Sequence, residues 1–199
     1  MLGLLAPREP VLARIEAEVE HDDVSCIGPH VGQLLALLLR MNGCRDVLEL
    51  GTATGYSAIW LARGSTGQVS TLEMDPARIE RARANIAEAG LADRVQVVEE
   101  DAVGYLERGG EPVDAVFNDL LYSFTDDAAV ERCVRLSVVR LRPGGLMLAD
   151  NALGRGRVVT ADGQSARNID RYNRVVAADH RLESLIVPIR DGVSVARLR

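Results

Sequence analysis

The sequence predicts a doubly wound α/β fold, in which helices cover both faces of a mostly parallel, seven-stranded sheet. Short apolar segments alternate with amphipathic helical segments along most of the 199 residues. This is the pattern of parallel strands joined by right-handed helical crossovers. The two closing strands are separated by Asp191-Gly192, a hairpin signal, and therefore form an antiparallel pair at one end. Ligands of such sheets bind beyond the carboxyl ends of the strands.

Apolar periodicity and turn residues set the predicted elements. Pro76 is a favoured first-turn residue of a helix, and Gly90 stops the same helix. In chain order we expect helices over 8–21 and 30–41, a strand over 46–50, a helix after Gly55, a strand over 69–74, a helix over 76–89, a strand over 95–98, a helix over 103–106, a strand over 113–117, a helix over 126–141, a strand over 146–149, a helix over 166–178, and strands over 182–188 and 193–196.

Three connecting segments and one helix have a distinctive composition. Residues 22–29 and the polar, Gly/Arg-rich residues 154–164 are predicted loops, and Pro143-Gly144-Gly145 is a predicted turn into the fifth strand. The segment 34–39 is apolar nearly all round, which indicates a helix that is deeply buried or lies at a subunit interface. We therefore expect a homodimer.

The bulk properties favour one ordinary globular domain over residues 1–199. Within it, helices in 1–42 would cover a site built by 43–199. The net charge of −6 argues against nucleic acid as a partner. Three cysteines without CxxC spacing indicate a reduced, cytoplasmic setting, and neither a signal peptide nor a membrane span is recognisable.

The segment from Val47 to Ser57 predicts a strand, a tight glycine turn and the start of a helix. Gly51 and Gly55 let the backbone approach a ligand closely, and a helix N-terminus offers free N–H groups. Glu73 closes the next strand, where a carboxylate can accept hydrogen bonds from both ribose hydroxyls. The pattern predicts a nucleotide-like cofactor, although a turn that serves only helix–strand packing is an alternative.

Phosphate-binding features are absent from this turn. The sequence has neither GxGxxG nor a Walker lysine, and all 23 basic residues are arginines. A nicotinamide oxidoreductase is therefore disfavoured. The carboxylates of Glu49, Glu73 and Asp119 suit a cationic cofactor such as the sulfonium S-adenosylmethionine.

Three oxygen-donor residues follow two neighbouring strands. Asp119, Asp150 and Asn151 form a ligand set suited to Mg²⁺ foremost, or to Mn²⁺ or Ca²⁺. The alternative is that Asp150-Asn151 is only a turn and that Asp119 is a cap.

The pattern as a whole resembles the metal-dependent O-methyltransferases of the catechol and caffeoyl-CoA type, which have the Rossmann-like class I methyltransferase fold. The resemblance runs from about Ile27 to the C-terminus, and the residues after the fifth strand make it more specific than the glycine turn alone. It is carried by Glu49-x-Gly51-x-x-x-Gly55-Tyr56-Ser57, Glu73, Phe117-x-Asp119, Arg142-Pro143-Gly144-Gly145 and Ala149-Asp150-Asn151.

The resemblance implies roles for individual residues. Two of the residues that the resemblance assigns to the cofactor have another interpretation. Ser57 could instead cap its own helix, and Asp101 could instead cap the next helix. The implied cofactor-binding residues are Ile27, Glu49, Gly51, Thr52, Ser57, Glu73, Asp101, Ala102 and Asp119. The implied metal ligands are Asp119, Asp150 and Asn151.

The implied reaction is methyl transfer to a hydroxyl of a small catechol-like or phenolic acceptor chelated by the metal, with Asp119 and Tyr122 as catalytic residues. Tyr122 stands where this family has a lysine, so the metal alone, Tyr122 or His30 would have to manage the proton. A homologue with metal-independent or weak activity is an alternative, as is a cofactor-binding protein without catalysis. Asp119-Leu120-Leu121-Tyr122 also has the spacing of the Asp-Pro-Pro-Tyr motif of N-methyltransferases, without its prolines.

The loop after the metal residues contains two arginines. In the related enzymes this stretch borders the acceptor, so Arg155 is the predicted substrate residue, and Arg157 is a further candidate. The alternative is that both arginines are merely solvated.

Overall fold

The protein is described by a computed structural model that covers residues 9–19, 25–160 and 163–199. Its sheet has seven strands in the order β3-β2-β1-β4-β5-β7-β6. The elements are α1 (Pro10–Val19), α2 (Gly28–Met41), β1 (Val47–Leu50), α3 (Tyr56–Gly64), β2 (Val69–Glu73), α4 (Pro76–Glu88), β3 (Val95–Glu99), α5 (Ala102–Glu107), β4 (Val113–Asn118), α6 (Asp127–Arg140), β5 (Leu141–Ala149), a 3₁₀ segment (Gly154–Val159), α7 (Gln164–Ala178), β6 (Leu182–Val187) and β7 (Val193–Leu198).

The predicted fold class is confirmed. Strands β1 to β5 pair in parallel, whereas β7 runs antiparallel to both β5 and β6. The chain moves outwards from β1 to β3 and then returns to place β4 beside β1. The reversal of strand order between β1 and β4 is the point at which such sheets form a ligand crevice.

The core lies on both faces of the sheet, because successive side chains of a strand point in opposite directions. Phe117 belongs to the apolar cluster beneath α1 to α4, and its neighbour Val116 belongs to the cluster beneath α5 to α7. Both side chains are fully buried. The alternation fixes the register of β4 and thereby the position of the residues that follow it.

Several predicted boundaries are wrong. Pro143-Gly144-Gly145 lies inside β5, where pairing skips from Val113↔Leu141 to Ala115↔Leu146. The extra residues form a bulge, and Gly144 takes the positive φ of +79° that this irregularity allows. The predicted loop over 154–164 contains the 3₁₀ segment, and α7 begins at Gln164. Helix α2 begins at Gly28 because proline is tolerated in a first turn.

The apolar helix α2 is only partly enclosed. Val31, Leu35 and Leu39 are buried against the core, whereas Leu37 and Met41 are 50% and 77% exposed. Its inner face is therefore core, and its outer face is apolar but open. The ends of the predicted first helix, at residues 8, 20 and 21, lie outside the described residues, as does much of the predicted loop over 22–29. No helix within the described ranges is long and apolar enough to cross a membrane.

Candidate active site

The glycine turn after β1 is fastened to the end of β2. The backbone N–H groups of Gly51 and Thr52 donate to the carbonyl of Leu72 at 3.2 and 3.0 Å. Gly51 has a φ of +96°, and a Cβ there would lie 2.9 Å from Cδ2 of Leu120. Gly55 has a φ of +80° and immediately precedes α3. Both glycines are thus required by the backbone conformation, and Gly51 also by close packing.

A cavity of about 370 Å³ opens beyond this turn. It contains four of the predicted cofactor residues: Gly51, Glu73, Asp101 and Ala102. The rest of its wall consists of Leu72, Met74, Arg78, Glu100, Val103, Leu120, Ser123, Phe124, Thr125 and Ala129. The apolar residues among them provide flat packing surfaces, and the carboxylates provide acceptors. This combination suits a nucleoside with ribose hydroxyls.

Backbone donors orient the carboxylate of Glu73. Its Oε2 accepts from the N–H of Ala53 at 3.0 Å, and its Oε1 accepts from Met74 and Asp75 at 2.9 and 3.1 Å. Asp101 both lines the cavity and caps α5, since its Oδ2 accepts from the N–H of Gly104 at 2.7 Å. The cap predicted for Asp101 is therefore confirmed, whereas its contact with the cofactor stays a prediction.

Glu49 lies buried behind the glycine turn. Its Oε2 accepts a hydrogen bond of 2.6 Å from the Thr71 hydroxyl, which is also 2.6 Å from the hydroxyl of Thr52. Burial raises the pKa of Glu49 to about 7, against the opposing hydrogen bonds from Ser57 and Thr71. Its Oε1 has no hydrogen-bond partner among the described residues. Ser57 and Thr52 therefore support Glu49 rather than line the cavity.

A second, smaller cavity of about 90 Å³ lies at the ends of β4 and β5. It brings together the three predicted metal ligands Asp119, Asp150 and Asn151 with the predicted substrate residue Arg155. The remaining wall consists of Ser25, Cys26, Ile27, Arg190 and Asp191. Ile27 thus lines this second cavity instead of the larger one. His30 lines neither.

The carboxylates of the second cavity are poorly compensated. Asp150 is only 4% exposed, and its Oδ1 has no hydrogen-bond partner within the described ranges. Burial raises the pKa of Asp150 to about 6. The pKa of Asp119 lies well above its usual range because of burial and the charges of Asp150 and Glu49. The buried Asp150 and the half-buried Asp119 repel each other when both are ionised, and a cation between them would stabilise both charges.

The donor set fits a hard divalent cation. Two carboxylates and the Asn151 amide provide the oxygen ligands that Mg²⁺, Mn²⁺ and Ca²⁺ prefer. No three His, Cys, Asp or Glu side chains in the described part of the chain form a group that could hold a metal, so a cation here would depend on two carboxylates and an amide. Asn151 adopts a φ of +64°, a conformation that asparagine tolerates better than most residues.

Asp191 connects several residues of the second cavity, although the sequence marked it only as a hairpin residue. Its Oδ2 accepts from the Tyr122 hydroxyl at 2.7 Å and from Nδ2 of Asn151 at 3.3 Å. Its Oδ1 accepts from the backbone N–H of Arg155. Burial and this contact with Asp191 raise the pKa of Tyr122 to about 12. Tyr122 thus keeps its proton at neutral pH and acts as a hydrogen-bond donor.

Known proteins share this architecture. The sequence profile of the O-methyltransferase family matches residues 9–199. A catechol O-methyltransferase from Niastella koreensis is 31% identical in an alignment 183 positions long, which covers 85% of this chain and 80% of that protein.

Two solved structures of similar proteins contain the cofactor S-adenosylmethionine (SAM) or its product SAH. An O-methyltransferase from Bacillus cereus in complex with SAH has a TM-score of 0.85 at 29% identity, over 99% of this chain and 94% of that one. The O-methyltransferase TomG from Streptomyces achromogenes, in complex with SAM, has a TM-score of 0.83 at 28% identity, over 98% and 92% of the two chains. The chain therefore belongs to the O-methyltransferase family and is a class I enzyme that uses S-adenosylmethionine as its methyl donor.

Proposed function

We propose that this enzyme methylates a hydroxyl of a small catechol-like phenol chelated by a divalent cation at Asp119, Asp150 and Asn151. One observation carries the proposal: the buried Oδ1 of Asp150 has no partner among the described residues and lies in the same small cavity as Asp119. Neither carboxyl group forms an ion pair with the described residues, and each would be stabilised in its ionised form by a bound cation. The catechol O-methyltransferase name of a relative supports the acceptor class.

We assign the larger cavity to S-adenosylmethionine. Gly51, Glu73, Asp101 and Ala102 would contact it directly, and Glu73 would accept from the ribose hydroxyls. Glu49, Thr52 and Ser57 would support its methionine end from behind the glycine turn, while Ile27 and Asp119 would approach from the acceptor side. The orphaned Oε1 of Glu49 is available to the cationic part of the cofactor.

The chain's own groups position the reactants. The cofactor supplies a methyl group on a sulfonium, and a bound cation would lower the pKa of the acceptor hydroxyl. Consecutive residues at the end of β4 line different cavities, Asp119 the smaller and Leu120 the larger. The acceptor oxygen and the methyl group would therefore meet at the end of β4, where direct contact between them would favour in-line transfer.

Removal of the metal tests the proposed function. We expect methyl transfer to catechols with Mg²⁺ present, and a loss of at least about a hundredfold after EDTA treatment because the acceptor loses its chelating centre. Calorimetric titration with S-adenosylmethionine should give the same affinity with and without EDTA. Transfer that ignores EDTA would instead support a metal-independent enzyme, and transfer to amines but not diols would support an N-methyltransferase.

Tyr122 gives a second prediction at this site. Because its hydroxyl donates to Asp191, we expect Tyr122→Phe to lower kcat by roughly tenfold and to alter the pH–rate profile. Initial rates across pH 6 to about 9 would measure this. Tyr105→Phe is the matched control, since that ring lies on α5 beneath Arg108. An unchanged rate and profile in Tyr122→Phe would dismiss a role in proton handling.

We further propose a homodimer of single-domain chains that works in the cytoplasm. The exposed Leu37 and Met41 on the outer face of α2 support the homodimer. The free Cys26, Cys44 and Cys133 support a reducing compartment.

A further inference from the structure

Two arginines on facing turns line the acceptor cavity in an uncommon backbone conformation. Arg155 has a φ of +55° and Arg190 a φ of +49°, both in the left-handed region that side chains other than glycine rarely adopt. The turns are tied together through Asp191, whose carbonyl accepts from the N–H of Leu153 at 2.7 Å and whose carboxylate accepts from the N–H of Arg155. Conformations of this kind persist where the surroundings enforce them, and they cluster at binding sites.

The guanidinium of Arg190 spans the mouth of this cavity. Its Nη1 donates to the carbonyl of Cys26 at 2.9 Å and so fixes the loop before α2. Gly28 has a φ of +71°, and a Cβ there would lie 2.8 Å from the same Nη1, so a side chain at this position would displace the guanidinium. The contact places the positive charge of the C-terminal hairpin turn beside the N-terminal loop over the acceptor.

Most of the donor capacity of Arg190 is unused. A guanidinium has five N–H donors, and the bond to Cys26 is the only one that Arg190 forms to the residues in the described ranges. Its charge acts on Asp119 and Asp150, opposing the effect of burial on the pKa of each, yet it forms no ion pair with either. The side chain of Arg155 likewise has no hydrogen bond or ion pair with the described residues. Two solvent-exposed guanidinium groups, with donors that no described residue accepts, thus border one cavity.

The charges around the cavity favour an anion. Asp191 is satisfied by its own three donors, which leaves Asp119 and Asp150 for the proposed cation. Two guanidinium groups and a divalent cation outweigh the three carboxylates, so the loaded cavity is positively charged. An acceptor that brings only neutral hydroxyls would leave both arginines without a partner.

We propose that Arg190, together with Arg155, binds a carboxylate on the acceptor, so that the acceptor is a catechol acid. The inference rests on the proposed function, and it defines the substrate class at the same site. The planar fork of a guanidinium matches the two oxygens of a carboxylate and binds them more tightly than it binds neutral groups. The acceptor's hydroxyls would lie beside Asp119 and Asp150, and its carboxylate would lie beside the turns that contain Arg155 and Arg190.

Binding of a matched pair of ligands tests this inference without relying on turnover. The probes are 3,4-dihydroxybenzoate and its methyl ester, titrated by calorimetry into the enzyme with SAH and Mg²⁺. We expect the acid to bind roughly ten- to a hundredfold more tightly, the range that a charge-assisted hydrogen bond gives. Arg190→Gln should abolish this preference with little change for the ester, and Arg190→Lys should retain part of it.

In steady-state kinetics, Arg190→Gln should raise KM for the acid while kcat stays nearly constant. Arg135→Gln, on the exposed face of α6, is the control that removes an arginine elsewhere, and thermal unfolding checks that each variant is folded. Equal affinity of the native enzyme for acid and ester would overturn the inference while leaving the methyltransferase proposal intact. An equal loss for both ligands in Arg190→Gln would overturn it as well, because the arginine would then act on the loop or the hydroxyls. If neither ligand binds or is methylated, the catechol proposal itself fails, and the inference fails with it.

Discussion

Asp150→Asn is expected to lower kcat/KM for catechols by at least about a thousandfold while the free energy of unfolding stays the same or rises by about 1 to 2 kcal/mol. The substitution keeps the shape of the side chain but removes the buried negative charge that lies beside Asp119. Asp150 is 4% exposed, and its Oδ1 has no compensating contact within the described residues. The charge therefore destabilises the fold, and the proposed cation is what would compensate for it.

Three measurements on Asp150→Asn separate a metal-binding role from a structural one. Steady-state methylation with Mg²⁺ gives the catalytic loss, urea unfolding gives stability, and calorimetry gives the affinity for S-adenosylmethionine, which should stay within about threefold. Asp93→Asn, at an exposed aspartate before β3, should change none of them. A parallel loss of stability and cofactor affinity would show that Asp150 is structural.

Glu49→Gln is expected to make the free energy of unfolding less dependent on pH. The pKa of Glu49 is about 7 in the native state, whereas an unperturbed glutamate titrates near 4.3. Between these values the native protein holds a proton that the unfolded chain has released. Stability of the native enzyme therefore falls as pH rises through this window and levels off above about pH 7.

Glutamine cannot ionise, so Glu49→Gln should match the native protein at low pH and exceed its stability by roughly 2 to 3 kcal/mol at pH 8. Urea unfolding at pH 5 and pH 8 would measure this. Glu183→Gln, on the exposed face of the edge strand β6, is the control. An identical pH slope in Glu49→Gln would show that Glu49 does not titrate in this range.

Glu49→Gln should also weaken binding of the cofactor. An ionised Glu49 favours a cationic ligand, so at pH 8 we expect roughly tenfold weaker binding of S-adenosylmethionine and a smaller change for SAH, which lacks the sulfonium charge. Equal effects on both ligands would place Glu49 away from the sulfonium.

The location of residues that directly follow a strand was predictable from the sequence, because the direction of a parallel strand fixes where its carboxyl end lies. Gly51, Glu73 and Asp119 each follow or close such a strand, and the structure brings them to two adjoining cavities. The local pattern needed no knowledge of distant contacts.

Residues that reach the site through long-range pairing were not predictable. Arg190 and Asp191 lie in a turn that looked like an ordinary hairpin, and only the antiparallel pairing of β7 with β5 brings that turn beside Asn151. The bulge at Pro143–Gly145 had the composition of a turn, and the neighbouring strand decides its conformation. Leu120 and Phe124 carried no polar signal, although both line the larger cavity.

Asp119 and Leu120 lie side by side between the two cavities, so binding in one cavity is expected to affect binding in the other. Leu120 fills the space that a side chain at Gly51 would occupy, so displacement of one residue at the end of β4 moves the lining of both cavities. We therefore expect a ligand in the larger cavity to alter affinity in the smaller one, and reciprocity then requires the same factor in the opposite direction. Such coupling would link methyl donor and acceptor before any chemistry occurs.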